Sequence, residues 1–152
     1  MAEQLGKTER IVVGVDGSDS SKRALRWAVR QGRLTDGVVE ALTAWDFPQF
    51  HGALGWLPPS SRDEGALEAR AREELTRAVE EAVGPQPSVE LRTEVRYGTP
   101  ASVLLDAAHG ASLLVVGSRG LGGFAGLLLG SVAQHCAQHA ACPVVVVRDD
   151  GR

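Results

Sequence analysis

The sequence contains no apolar run approaching the ~20 residues that cross a bilayer, so no segment of it reads as a membrane span. It contains only two cysteines, Cys136 and Cys142. That is too few for a disulfide framework, and a reducing cytoplasm is the expected compartment. The first ten residues, Met-Ala-Glu-Gln-Leu-Gly-Lys-Thr-Glu-Arg, are too polar for the apolar stretch of a signal peptide. There is no excess of positive charge either. The net charge is −3 with acids and bases interspersed, whereas a nucleic-acid surface needs clustered Lys and Arg to displace counterions. No internal repeat is visible, and no linker is long enough to separate a second domain.

What remains is one domain's worth of chain: 152 residues, 43% hydrophobic and 23% charged. At this length roughly 70% of the unfolded surface can be buried without a staple. Arg10 to Asp16 is a β-branched run ending in turn residues, hence a buried strand. Ser18 or Asp19 then caps a helix whose Ala24, Leu25, Ala28 and Val29 share one face, with Gly32 as its expected stop. Gly37 to Trp45 reads as a second strand. Residues 46–62 hold Pro48, Gly52, Gly55, Pro58 and Pro59 and read as irregular. A helix over 63–83 follows, with Leu67, Ala71, Leu75, Ala78, Val79 and Ala82 as its apolar stripe.

Ser88 to Tyr97 alternates with Val89, Leu91, Thr93, Val95 and Tyr97 on one side, the pattern of a strand near a sheet edge. Thr99 caps a short helix with Pro100 at its first position. Ser112 to Val116 is a buried strand, Ser131 to Ala140 a helix, and Pro143 to Val147 a last strand. Strands alternating with helices imply parallel pairing through right-handed crossovers. Five strands and four helices make an α/β, open, doubly wound parallel sheet.

The segment Gly117-Ser-Arg-Gly120-Leu-Gly-Gly-Phe-Ala-Gly126-Leu-Leu-Leu-Gly130-Ser131 follows a strand and opens a helix. In open α/β sheets ligands sit beyond the carboxyl ends of the strands. A helix N-terminus offers unpaired N–H groups and a positive dipole end, and glycine lets an anion approach the backbone. Ser131 adds a hydroxyl. A Walker A loop is excluded because no Lys lies in this segment. A dinucleotide fingerprint on Gly120-Leu-Gly122-Gly-Phe-Ala125 fits poorly, since it lies late in the chain and no acid follows about 20 residues on. The remaining pattern is Gly-x2-Gly-x9-Gly-Ser, met by Gly117, Gly120, Gly130 and Ser131.

With that pattern, with Ile11-Val-Val-Gly-Val-Asp16-Gly-Ser near the start and with Pro143-Val-Val-Val-Val near the end, the chain resembles the universal stress proteins. The resemblance covers nearly the whole chain. It implies a tail at 1–9, a nucleotide-binding domain at 10–148 and a tail at 149–152. It also implies strand order 3-2-1-4-5 and kinship with the family's ATP-binding branch. By resemblance, Asp16 lies near the ribose, backbone around Ala44 near the adenine, and Val116 and Gly117 beside the nucleoside. Gly120, Gly130, Ser131 and Val132 then hold phosphates.

Asp16 ends the first strand, and its carboxylate would repel phosphate, so it suits ribose hydroxyls or a nucleotide-borne Mg²⁺; the competing reading is a turn cap. Arg119 lies outside the signature and is either a mobile phosphate clamp or a solvated surface residue. The ligand expected is ATP, with AMP or ADP as alternatives. Residues 117–132 hold no His, Asp, Glu or Lys, so binding with slow or no hydrolysis is expected. The leading function is a nucleotide-binding stress-response regulatory module. An ATP-hydrolysing or phosphoryl-transferring enzyme, and a dimeric scaffold with an empty pocket, are the alternatives.

His135 and His139 share a helix face as a zinc pair would, but Cys136 points elsewhere and Cys142 lies beyond the helix, so no metal site is expected. His51 and His109 are isolated. Trp45, Phe47, Phe50, His51 and Trp56 form either a lid over the base or local packing. Val144 to Val147 would be an apolar edge strand, which a two-fold partner would cover; the resemblance implies the same homodimer.

Overall fold

The computed structural model describes residues 8–46, 61–120 and 129–149. Its elements alternate without exception: β1 (Arg10–Gly14), α1 (Asp19–Thr35), β2 (Val38–Trp45), α2 (Ser61–Val83), β3 (Glu90–Tyr97), α3 (Pro100–Ala108), β4 (Leu113–Gly117), α4 (Ser131–His139) and β5 (Val144–Val147). The five strands form one parallel sheet in the order β3-β2-β1-β4-β5.

Alternate residues of each strand point to opposite faces, and both faces are covered. Ile11, Val13, Val39, Ala41, Val95 and Val115 face α1 and α2, meeting Ala24, Leu25, Ala28 and Val29 of the first and Ala71, Leu75, Ala78 and Val79 of the second. Val12, Leu42, Leu114 and Val116 face α3 and α4, meeting Val103, Leu104, Ala107, Ala133 and Cys136. Strands buried on two sides need continuous apolar runs, which is why Ile11-Val-Val and Leu114-Val-Val are almost fully enclosed.

The caps settle the local choices. Ser18 is the N-cap of α1, its Oγ accepting from the Ser21 N–H at 3.1 Å. Thr99 caps α3 in the same way, with Pro100 at the first helical position. Gly32 does not stop α1. The helix runs three residues further and ends on Asp36, a left-handed residue at φ 56° whose N–H donates to the Gly32 carbonyl. A Cβ on Gly32 would stand 3.1 Å from Val39 Cγ2 and 3.5 Å from Val89 Cγ1, a tight fit against the sheet. The helix expected from residue 63 begins at Ser61; residues 47–60 and the aromatics Phe47, Phe50 and Trp56 lie outside the described residues.

The two edges differ in chemistry. β3 shows Glu90, Arg92, Glu94 and Arg96 on one face, paired within the strand at 2.6 Å and 2.8 Å. Leu91 and Val95 pack on the core, Tyr97 is 58% exposed, and β3 lies at the sheet edge as its alternation predicts. β5 carries no charge at all. Among the described residues no helix is long and apolar enough to cross a membrane.

Candidate functional site

A cavity of about 610 Å³ opens beyond the carboxyl ends of β1, β2 and β4, where the chain direction around the sheet reverses. Asp16, Ala44, Val116, Gly117, Arg119, Gly120, Gly130, Ser131 and Val132 all line it. Every residue expected to contact the nucleotide therefore lines one hollow, although residues 121–128 lie outside the described part of the chain.

Packing requires glycine at position 117 and brings positions 120 and 130 against neighbouring segments. A Cβ on Gly117 would lie 2.4 Å from Ser20 Oγ and 2.7 Å from the Ser20 carbonyl carbon and oxygen. A Cβ on Gly120 would lie 3.0 Å from Asp16 Oδ2. A Cβ on Gly130 would touch Arg119 Cα, Gly120 N and Ser118 O, each at 3.4 Å. Two hydrogen bonds fix this arrangement: Gly130 N–H donates to the Ser118 carbonyl at 2.6 Å, and Arg119 N–H donates to Ser20 Oγ at 3.2 Å. The two ends of the glycine-rich segment thus lie side by side, braced by the start of α1.

Gly130 is also the N-cap of α4, and no side chain caps that helix. α1 and α3 each have a hydroxyl accepting from their first turn. The opening residues of α4, Ser131 to Ala133, face the cavity instead. Uncapped N–H groups and the positive end of a helix dipole make a place for an anion.

Asp16 sits beside the Gly120 end of this arrangement. Its Oδ1 accepts from the Ser18 N–H at 2.9 Å and from Ser18 Oγ at 2.5 Å, and its own N–H donates to Ser21 Oγ at 3.3 Å. The turn-cap reading is thereby realised on one oxygen, and Oδ2 lies toward Gly120. Arg119 is 48% exposed, and its Nε stands 3.9 Å from Asp149 Oδ2.

Several lining residues were not foreseen. Leu67, Arg70, Ala71 and Glu74 of α2 form one wall, and Pro100, Val103 and Leu104 of α3 another. Leu67 and Ala71 read as plain core stripe because periodicity marks a buried face without saying what it faces. Their position near the start of the helix, just after the crossover from β2, is the only signal that could have placed them. Asp46 and Glu74 add two acids to Asp16, which was the only acid placed near the site from sequence. Glu74 pairs with Arg70 at 3.3 Å. Asp46 lies beside Tyr97, and its carboxylate, helped by some burial and a hydrogen bond, pushes the phenol above its ordinary pKa. Tyr97 in turn packs edge-on to Trp45 with ring centroids 5.0 Å apart. Among the described lining residues there is no His, Cys or Lys.

The His135 and His139 rings stand 4.9 Å apart on α4, and no group of three or more His, Cys, Asp or Glu gathers among the described residues. Cys136 is fully buried, which pushes its thiol from 9.0 up to about 11, and burial raises Cys142 as well. A thiol reagent at pH 8 should therefore label Cys142 in the folded protein and Cys136 only after unfolding. The unfolded chain loses the Cys136 proton first, so the stability this thiol contributes is present below pH 9 and lost as pH rises toward about 11. Equal labelling of both thiols in the folded protein would contradict this.

The universal stress protein family model matches residues 7–148. The chain belongs to the universal stress protein family. A universal stress protein of Mycobacterium tuberculosis is 35% identical over 142 residues, covering 91% of this chain and 45% of the relative. One from Mycolicibacterium smegmatis is 31% identical over 147 residues, covering 92% and 48%. The chain spans about half the length of the curated relatives it matches. Among solved structures, universal stress protein UspA from Lactobacillus plantarum superimposes with TM-score 0.73 at 25% identity, covering 94% of this chain and 99% of that one. A universal stress protein crystallised with cAMP superimposes with TM-score 0.59 at 29% identity, covering 93% and 97%.

Proposed function

We propose that this universal stress protein binds an adenine nucleotide in the cavity and acts as a regulatory module of a stress response, with slow or no hydrolysis. The observation that carries the reading is the meeting of the uncapped first turn of α4 with the Gly117–Gly120 backbone, beside the Asp16 carboxylate. Such a site offers N–H donors to phosphate and, next to them, a carboxylate to ribose hydroxyls or to a nucleotide-borne Mg²⁺. The related structure that holds cAMP supports an adenine nucleotide. Backbone at Ala44 would meet the base, Val116 and Gly117 the nucleoside, and Gly120, Gly130, Ser131 and Val132 the phosphates. ATP is the ligand favoured by the signature spacing, with AMP or ADP as the alternatives, and the cytoplasm the compartment.

What supports slow turnover is that the described acids of the cavity already have partners: Asp16 accepts from Ser18, Glu74 pairs with Arg70, and Asp46 lies with Tyr97. The test is to denature freshly purified protein, identify any released nucleotide by mass spectrometry, and titrate the refilled or empty protein with ATP, ADP, AMP and cAMP by calorimetry. Saturable binding of one of them is expected. Absence of both carried and added nucleotide would leave the scaffold reading in its place. Rapid multiple turnover lost in Asp16→Ala would favour the enzyme.

Homodimerisation through Val144–Val147 belongs to the same proposal. The charged ladder on β3 protects that edge, whereas β5, paired to β4 on one side, offers an apolar outer edge that a second copy would cover. Light scattering should give twice the chain mass, and Val146→Lys should give the monomer. A wild-type monomer at high concentration counts against it.

A further inference from the structure

We infer that Asp149 sets the affinity of the cavity for phosphate by competing with the ligand for Arg119, an inference that rests on the nucleotide reading above. The sheet brings the two residues together. β4 and β5 run parallel with Gly117 aligned to Val147, and the Ser118 N–H donates to the Val147 carbonyl at 2.9 Å. Two residues past that register, Arg119 and Asp149 emerge side by side.

The contact is built to be exchanged. Arg119 Nε to Asp149 Oδ2 is 3.9 Å, an ion pair too long for a hydrogen bond. Asp149 has a firmer partner, since Arg23 Nη1 donates to its Oδ1 at 3.0 Å. When Arg119 leaves, Asp149 keeps that partner, so no carboxylate is stranded. The Arg119 backbone stays fixed, because its N–H is held by Ser20 Oγ and the preceding Ser118 carbonyl accepts from the Gly130 N–H at the head of α4. Only the guanidinium has to move, and Arg119 already lines the cavity.

A phosphate at the start of α4 offers that guanidinium a bidentate anion in place of one carboxylate oxygen. Asp149 is therefore a positioning residue: it touches no ligand and acts through Arg119. It also couples the phosphate end of the cavity to the chain beyond β5, since ligand binding frees one of the two arginines that hold Asp149.

The test compares ATP with adenosine, which has no phosphate. Asp149→Asn keeps an oxygen for Arg23 and removes the charge. Calorimetry at low salt should show ATP binding tightened about two- to fivefold, the range of a half-exposed ion pair. Adenosine binding should be unchanged, and the gain should shrink as salt rises. Asp149→Glu should behave as the wild type. In an Arg119→Ala background, Asp149→Asn should give no gain.

Unchanged ATP affinity in Asp149→Asn overturns the inference while the nucleotide reading stands. An equal gain for adenosine, or a gain that persists without Arg119, overturns it too, because the effect would not pass through Arg119. If neither ATP nor adenosine binds the wild type, the nucleotide reading falls and the inference with it.

Discussion

Gly117→Val is expected to lower the melting temperature by roughly 2–12 °C, or to prevent folding. The first atom added would stand 2.4 Å from Ser20 Oγ and 2.7 Å from the Ser20 carbonyl group. A flexible side chain could turn away, but two of those three atoms are helix backbone. Ser20 lies in the first turn of α1, whose inner face is locked between β1, β4 and α2, so relief means shifting a helix or the end of β4. Overpacking of this kind costs about 1–3 kcal/mol, more where backbone must move. Ser20→Ala in the same chain removes only the hydroxyl and leaves the carbonyl contact, so it should not rescue Gly117→Val. Thermal unfolding followed by circular dichroism checks both. Full rescue by Ser20→Ala would show that the hydroxyl alone is the obstacle.

That result would separate two roles of one residue. Gly117 belongs to the spacing that resembles a nucleotide signature, yet its packing against Ser20 demands glycine before any ligand arrives. Gly120 nears only the movable Asp16 carboxylate and Gly130 only ordinary contacts with Arg119, so packing does not demand glycine at either. The spacing could be read because each glycine sits where two segments must touch. Which segments touch could not be read, because Ser20 and Asp16 come from the far end of the chain. The strands and helices were legible for a simpler reason: each is buried on one stripe or on two faces, and apolar periodicity reports that directly.

Gly32 shows where the reading fails. A glycine near the end of a helix fits a C-cap or a close contact equally well on paper. Here the contact with Val39 and Val89 decides it, and Asp36 takes the left-handed turn. The walls supplied by α2 and α3 were hidden for the same reason. Leu67 and Leu104 carry the pattern of core residues, and only the crossovers show that they also border a hollow. Asp149 was read as the first residue of a tail, since nothing local announces an ion pair with Arg23, 126 residues away.

Asp16→Ala is expected to weaken nucleotide binding by roughly ten- to hundredfold, the loss of one or two hydrogen bonds to a charged acceptor. The same change removes the acceptor for the Ser18 N–H at 2.9 Å, a further cost of about 0.5–1.5 kcal/mol in stability. Asp16→Asn parts the two effects, because its amide oxygen can still accept from Ser18 while the charge is gone. The asparagine variant should therefore melt like the wild type and still bind weakly. If Asp16 meets the ribose, the wild type should prefer AMP over 2′-deoxy-AMP, and the alanine variant should lose that preference. If it instead meets a nucleotide-borne Mg²⁺, Mg²⁺ should tighten ATP binding in the wild type and not in either variant. Calorimetry with AMP, 2′-deoxy-AMP and ATP, with and without Mg²⁺, distinguishes these. Wild-type affinity for all of them in Asp16→Asn would leave the carboxylate with its turn alone, and the ribose end of the site would have to lie elsewhere along the cavity.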